Sequence, residues 1–148
     1  MRAFRLGVLA LAAAALLLTA CGGGDDDDAG GNGGDDGGSA GGSTELLIDA
    51  TDFAFDPDFY EVPTGETISV SLSNLGAVEH NWVIVTAGNE ITSSVDVDES
   101  LFYFELNAQA GESIGTTFTA PAPGTYQVIC SISGHIEAGM VAELEVLG

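Results

Sequence analysis

The sequence predicts an all-β fold, a Greek-key β-sandwich of about seven or eight short strands. Three observations predict it. Apolar and polar residues alternate strictly in Thr67 to Ser73 and again in Ser113 to Thr119. Turn signals stand at Val62-Pro63-Thr64-Gly65 and at Pro121-Ala122-Pro123-Gly124. Helical periodicity is scarce, and no internal repeat breaks the pattern.

In chain order, Glu45 to Ala50 and Phe53 to Phe55 read as short opening strands. Thr67 to Ser73 follows, with Ile68, Val70 and Leu72 on one face. His80 to Val85 is apolar on both faces, as expected of a central strand. Ala87 to Gly111 is the least patterned stretch; within it Leu101 to Phe104 suits either a strand or a flap over the core. Ser113 to Thr119, Thr125 to Cys130 and Met140 to Val146 complete the set.

The folded domain so defined spans residues 45–148. Residues 1–20 read differently. Arg2 and Arg5 precede an apolar run from Leu6 to Leu18, too short to cross a bilayer and flanked like a signal peptide. The run ends in Leu18-Thr19-Ala20-Cys21, which resembles the lipobox of bacterial lipoproteins. That resemblance implies cleavage before Cys21, lipidation of its sulfur, and a membrane anchor. An ordinary cleaved signal with an incidental cysteine is the alternative. Residues 21–44 form a Gly/Asp-rich linker with nothing apolar larger than alanine, so the segment has no core to bury. A glycine-rich coil of this length reaches about 25 Å, enough to hold a domain off a surface. The expected location is therefore outside the cytoplasm, lipid-anchored and facing the periplasm or cell exterior.

Charge narrows the partners. The chain has 2 basic and 23 acidic residues, and both arginines lie in the signal. Nucleic acid and anionic lipid surfaces are poor partners for such a domain, and a basic protein is a plausible one. A solubility adaptation, for example to high salt, explains the acidity equally well.

Four residues carry the chemistry: His80, Cys130, His135 and Met140. Three of them lie in the run Cys130-x4-His135-x4-Met140, between the last two strands. The fourth opens a distant strand, next to Asn81 and Trp82. Taken singly, a cysteine is usually a small hydrophobe, a histidine a satisfied polar residue and a methionine a gap filler. Together they are harder to dismiss. The chain has two histidines, both in this set, and beyond Cys21 and Met1 its one cysteine and one methionine are there too. Cu(I) favours soft sulfur, and imidazole suits both copper states. Two imidazoles and a thiolate in a plane, with a weak axial thioether, make a blue-copper site. Strand parity places Cys130 with Tyr126 and Val128, Met140 with Ala142 and Leu144, and His80 with Trp82 and Ile84. Trp82 itself reads as core. Small residues at Ser131, Ser133, Gly134, Ala138 and Gly139 let the loop between wrap closely.

The runs Gly124-Thr125-Tyr126-Gln127-Val128-Ile129-Cys130, His135 to Met140 and His80-Asn81-Trp82-Val83 resemble the cupredoxins, type 1 blue copper proteins, most of all the auracyanin and azurin-like branch. The resemblance covers the whole folded domain. It implies one type 1 copper cycling between Cu(I) and Cu(II), with His80, Cys130 and His135 as equatorial ligands and Met140 as the axial one. It implies that Asn81 ties two loops together beside the thiolate. It implies that His135 lies near the surface as the electron exit, with Ile132, Ile136 and Ala138 in an apolar patch around it. Azurin itself has a shorter step from histidine to methionine, and a disulfide this domain cannot form.

The expected function is thus single-electron transport by a monomer, not catalysis. Its expected partner is a basic redox protein such as a c-type cytochrome, or a membrane redox complex. A copper nitrite reductase or multicopper oxidase would need further histidines, and a binuclear copper centre a second loop cysteine. A copper chaperone or storage protein is the alternative function, and a metal-free adhesion-type sandwich the remaining one.

Overall fold

The computed structural model describes residues 41–148. The signal, Cys21 and nearly all of the linker lie outside the described residues. Among the described residues nine strands form two packed sheets: β1 Glu45–Thr51, β2 Ala54–Asp56, β3 Phe59–Pro63, β4 Thr67–Asn74, β5 His80–Val85, β6 Phe102–Ala108, β7 Ser113–Thr119, β8 Gly124–Ile129 and β9 Val141–Leu147. The first sheet runs β2-β1-β4-β7 and the second β3-β9-β8-β5-β6. Both are mixed, because β1 lies parallel to β4 and β3 parallel to β9. The chain is already engaged just ahead of β1. Ser43 N–H donates to the Glu61 carbonyl at 2.9 Å, and Ser69 N–H to that of Thr44 at 2.9 Å.

The all-β sandwich expected from the sequence is present, with nine strands rather than seven or eight. The additional one is β3. Its pattern hides behind a proline, since Val62-Pro63 reads as turn. The strand nevertheless runs through Pro63, at the edge of its sheet, where a missing N–H costs no ladder bond. The turn proper begins at Thr64, and Gly65 takes the positive φ of 71° there. Leu101 to Phe104 resolves into the end of a 3-10 helix, Glu99–Leu101, and the start of β6.

The core between the sheets is built by alternation. Leu46, Ile48 and Ala50 of β1, and Ile68, Val70 and Leu72 of β4, face inward. Tyr60, Val62, Trp82, Ile84, Tyr126, Val128, Leu144 and Val146 answer from the second sheet. Trp82 is fully buried, with Tyr60 edge-on at 5.5 Å and Phe104 and Phe118 each at 6.2 Å. β5 is buried at all six positions. Its second face is covered by residues 86–101, whose Ile91 packs with Val83, Val85, Ile129 and Ile136 in a smaller cluster. Gln127 of β8 fastens that cover twice, accepting from Ile91 N–H at 2.8 Å and donating to the Ile91 carbonyl at 2.9 Å.

Candidate metal centre

β5 and β8 are antiparallel neighbours, with Val83 opposite Ile129. Continued by one residue, that register sets Cys130 opposite Trp82, so His80, the first residue of β5, is its diagonal neighbour two positions along. β8 and β9 are paired through Ile129 and Val141, so Met140, just before β9, stands at the same pole. The intervening loop is closed by backbone bonds between the ligand residues themselves. Cys130 N–H donates to the Met140 carbonyl at 3.1 Å, and Met140 N–H to the His135 carbonyl at 2.9 Å. Gly134 and Gly139, with φ of 86° and 96°, supply the left-handed turns this closure needs.

Three donor atoms converge. Cys130 Sγ lies 3.2 Å from His135 Nδ1 and 3.9 Å from His80 Nδ1, and the two Nδ1 atoms are 3.2 Å apart. A point in their plane equidistant from all three lies about 2 Å from each, the length of a metal–imidazole bond. The donors are buried: His80, Cys130 and Met140 are 0 % exposed and His135 is 6 %. Burial pushes the Cys130 thiol above its ordinary range, against the opposing Asn81 N–H. Burial, reinforced by His80, pushes the His135 imidazole below its usual value. A metal ion reverses the first effect, since it binds the thiolate, and exploits the second, since it binds neutral imidazole. The donor set fits a soft, borderline cation held by one sulfur and two nitrogens.

The frame around the donors is polar and satisfied. Asn81 N–H points at Cys130 Sγ at 3.5 Å. The Asn81 side chain donates to Ser131 Oγ at 2.8 Å and to Glu105 Oε1 at 2.9 Å, and accepts from Ser131 N–H at 2.7 Å. It thus joins β5, β6 and the ligand loop. Glu137, in the ligand loop, binds the 86–101 cover. It accepts from Ser93 Oγ at 2.9 Å and from Ser94 N–H and Oγ at 2.8 and 2.6 Å. Those bonds, led by that from the Ser94 hydroxyl, hold its carboxyl down to about 2. Ser94 Oγ in turn accepts from Gly134 N–H at 2.8 Å.

Other residues at this pole carry no sequence signal. Asn74, buried at the end of β4, donates to the Val78 and Ala108 carbonyls at 2.8 and 3.0 Å and accepts from Gly76 N–H at 2.9 Å. This shapes the loop that delivers His80. Asp52 and Phe53 come from the β1–β2 turn. Asp52 Oδ1 accepts from His80 Nε2 at 2.9 Å. The Phe53 ring meets His135 edge-on at 4.7 Å.

Two expectations about the exit change. His135 is covered by Phe53, and the exposed apolar surface beside it is the Phe53 ring, 41 % exposed, rather than the imidazole. Ile136 is buried in the outer cluster, because the loop turns it beneath the 86–101 cover, and Ile132 is partly buried against the main core. Of the three residues read as a patch, Ala138 alone is exposed.

A nine-stranded sandwich with a buried Cys-His-His-Met set at one pole defines a copper-binding β-sandwich protein. The sequence profile of the copper-binding proteins of the plastocyanin/azurin family matches residues 43–147, and the chain belongs to that family. The four residues form a type 1 copper site. Auracyanin-B of Chloroflexus aurantiacus is 38 % identical over 92 residues, 52 % of this chain and 39 % of that protein. Auracyanin-A of the same organism is 34 % identical over 100 residues, 57 % of this chain and 62 % of that one. The matches thus span less than two thirds of either relative's own length. The reduced auracyanin structure from Roseiflexus castenholzii superposes with a TM-score of 0.64 at 30 % identity, covering 73 % of this chain and all of that one.

Proposed function

We propose that the protein is a one-electron carrier, working outside the cytoplasm on a lipid tether. The observation that carries this reading is the prearranged donor set: three ligand atoms within 4.8 Å of one another, buried and braced from three elements. Copper bound there supplies the one-electron couple. The chain's own residues do the rest. The loop bonds among Cys130, His135 and Met140 hold the ligand spacing, and Asn81 and Glu137 fix that loop to its neighbours. A frame held this tightly resists the rearrangement that would slow electron exchange. Met140, fully buried and tied through its backbone to both neighbouring ligands, would offer its thioether to the ion as a weak fourth donor. Phe53 is the apolar surface nearest His135 and the contact through which a partner approaches the site.

Export and tethering rest on the Arg2 to Cys21 pattern. Among the described residues no helix is long and apolar enough to cross a membrane. The partner is a basic redox protein, read from a domain without Lys or Arg.

The test is optical and electrochemical. Oxidised copper protein shows an intense thiolate-to-copper band in the orange-red and a reversible one-electron wave, and Cys130→Ser abolishes both. A colourless protein that holds only Cu(I) overturns the carrier reading in favour of copper delivery or storage. Electron exchange with a basic cytochrome slows as salt rises, because screening weakens the encounter. A salt-independent rate assigns the acidity to solubility.

A further inference from the structure

A ligating imidazole has two nitrogens, and the partner of the far one governs what the near one donates. In His80 the two are clearly sorted. Nδ1 faces the donor set, 3.2 Å from His135 Nδ1 and 3.9 Å from Cys130 Sγ. Nε2 faces away, 2.9 Å from Asp52 Oδ1. The histidine side chain is fully buried, while the aspartate is 33 % exposed. The carboxylate therefore reaches in from the rim to a nitrogen that has no solvent. It is itself held. Ala77 N–H lies 3.2 and 3.1 Å from Asp52 Oδ1 and Oδ2.

A second observation makes the contact specific. Gly76 lies against it so closely that a Cβ there would overlap Asp52 Oδ1 and stand 2.7 Å from His80 Nε2. Its φ is not in the left-handed region, so backbone freedom is not what requires glycine. The space is kept for the hydrogen bond. Asp52 comes from the β1–β2 turn of the first sheet and His80 from the second sheet, so the bond also ties that turn to β5 at the site.

We propose that Asp52 is the positioning residue of this centre: it locks His80 with Nδ1 toward the ligand set, and its charge on the far nitrogen favours Cu(II) over Cu(I). The proposal rests on the copper reading above. A hydrogen-bonded carboxylate makes the imidazole a stronger donor and adds negative charge near the ion, and both effects stabilise the more highly charged state. Among the described residues no carboxylate bonds the His135 ring; the Phe53 ring stands against it instead. The two imidazoles are thus unequal, one electronically loaded and one packed beneath the Phe53 ring.

The experiment has two arms. In copper-free protein, nitrogen-resolved NMR at alkaline pH reports the His80 tautomer. A proton on Nε2, slow to exchange in the native chain and fast in Asp52→Ala, is the expected result. A proton on Nδ1 overturns the proposal, even if the protein never takes up copper. In copper-loaded protein, Asp52→Asn keeps an acceptor and the shape but loses the charge. It should keep the visible band and lose about tenfold in preference for Cu(II), a rise in potential of about 59 mV. Gly76→Ala, which displaces the carboxylate without removing it, should shift the potential the same way. Added to Asp52→Asn it should do little more, since both act through one bond. A potential that is unchanged or lowered in Asp52→Asn, or full additivity of the two substitutions, refutes the assignment. Loss of the band in the native protein instead refutes the copper reading and leaves the tautomer result to stand.

Discussion

The outer faces of the two sheets differ sharply. On the first sheet, β4 alternates buried with exposed or half-buried positions, and Leu47 and Ile114 stand out at 67 % and 36 % exposure. On the second, β5 is buried throughout, because residues 86–101 fold over it and bring Ile91 onto Val83, Val85 and Ile129. β5 opens with His80, and Cys130 directly follows β8. β5 and the end of β8, which present His80 and Cys130, are therefore packed on both faces, while the first sheet supplies one wall of the core and the turn bearing Asp52 and Phe53. Two of the four ligands of a site that must not rearrange are set on strands gripped from both sides.

The largest effect expected from this comparison is on stability. Ile91→Ala opens a cavity beneath the cover and should cost about 2–5 kcal/mol, whereas Leu47→Ala on the open face should stay within about 0.5 kcal/mol. Chemical denaturation of the two variants measures the contrast. Equal costs would mean that the cover adds nothing to the second sheet.

A smaller effect concerns the link between cover and ligand loop. Glu137→Gln keeps one carbonyl acceptor but loses the charge that draws the Ser93 and Ser94 donors. Amide hydrogen exchange should accelerate in residues 93–96 and 131–139 and stay unchanged in β4. Acceleration spread evenly over both sheets would show that Glu137 supports the fold generally rather than the loop.

What was legible in the sequence follows the same division. β4 and β7 sit on the open sheet, where alternation is plain, and both were readable to within a residue. β5 was readable for the opposite reason, as an unbroken apolar run from Trp82 to Val85. The ligand set was legible because its residue types are so scarce in this chain. β3 was not, since Pro63 closes an otherwise alternating Phe59-Tyr60-Glu61-Val62 and marks a turn to any local reading. The cover was not, because Ile91, Val97 and Leu101 gain meaning only once β5 and β8 lie beneath them. The family resemblance puts Ile136 in a surface patch, and the same cover overrides it. Asp52, Asn74 and Gly76 reach His80 or its loop through the meeting of two sheets, which no spacing along the chain records.

The smallest expected effect tests whether the cover is held by its own local bonds. Asp98 caps the 3-10 helix Glu99–Leu101, accepting from Ser100 N–H at 2.9 Å. The Ser100 hydroxyl first, and then its N–H, hold the Asp98 carboxyl below the ordinary 3.8. A group whose pKa is lower in the folded chain stabilises the fold at pH values above its unfolded value. That contribution fades as pH falls through the folded value. Asp98→Asn still caps the turn but does not titrate. The native chain should therefore be slightly the more stable at neutral pH, and the gap should close as the pH drops below the carboxylate range. Other acids titrate alike in both proteins, so the difference between their denaturation midpoints isolates this one residue. A gap that stays constant, or widens in acid, would mean that Asp98 does not hold the cover through its charge. The pinning of β5 would then rest on the apolar packing of Ile91 and its neighbours alone.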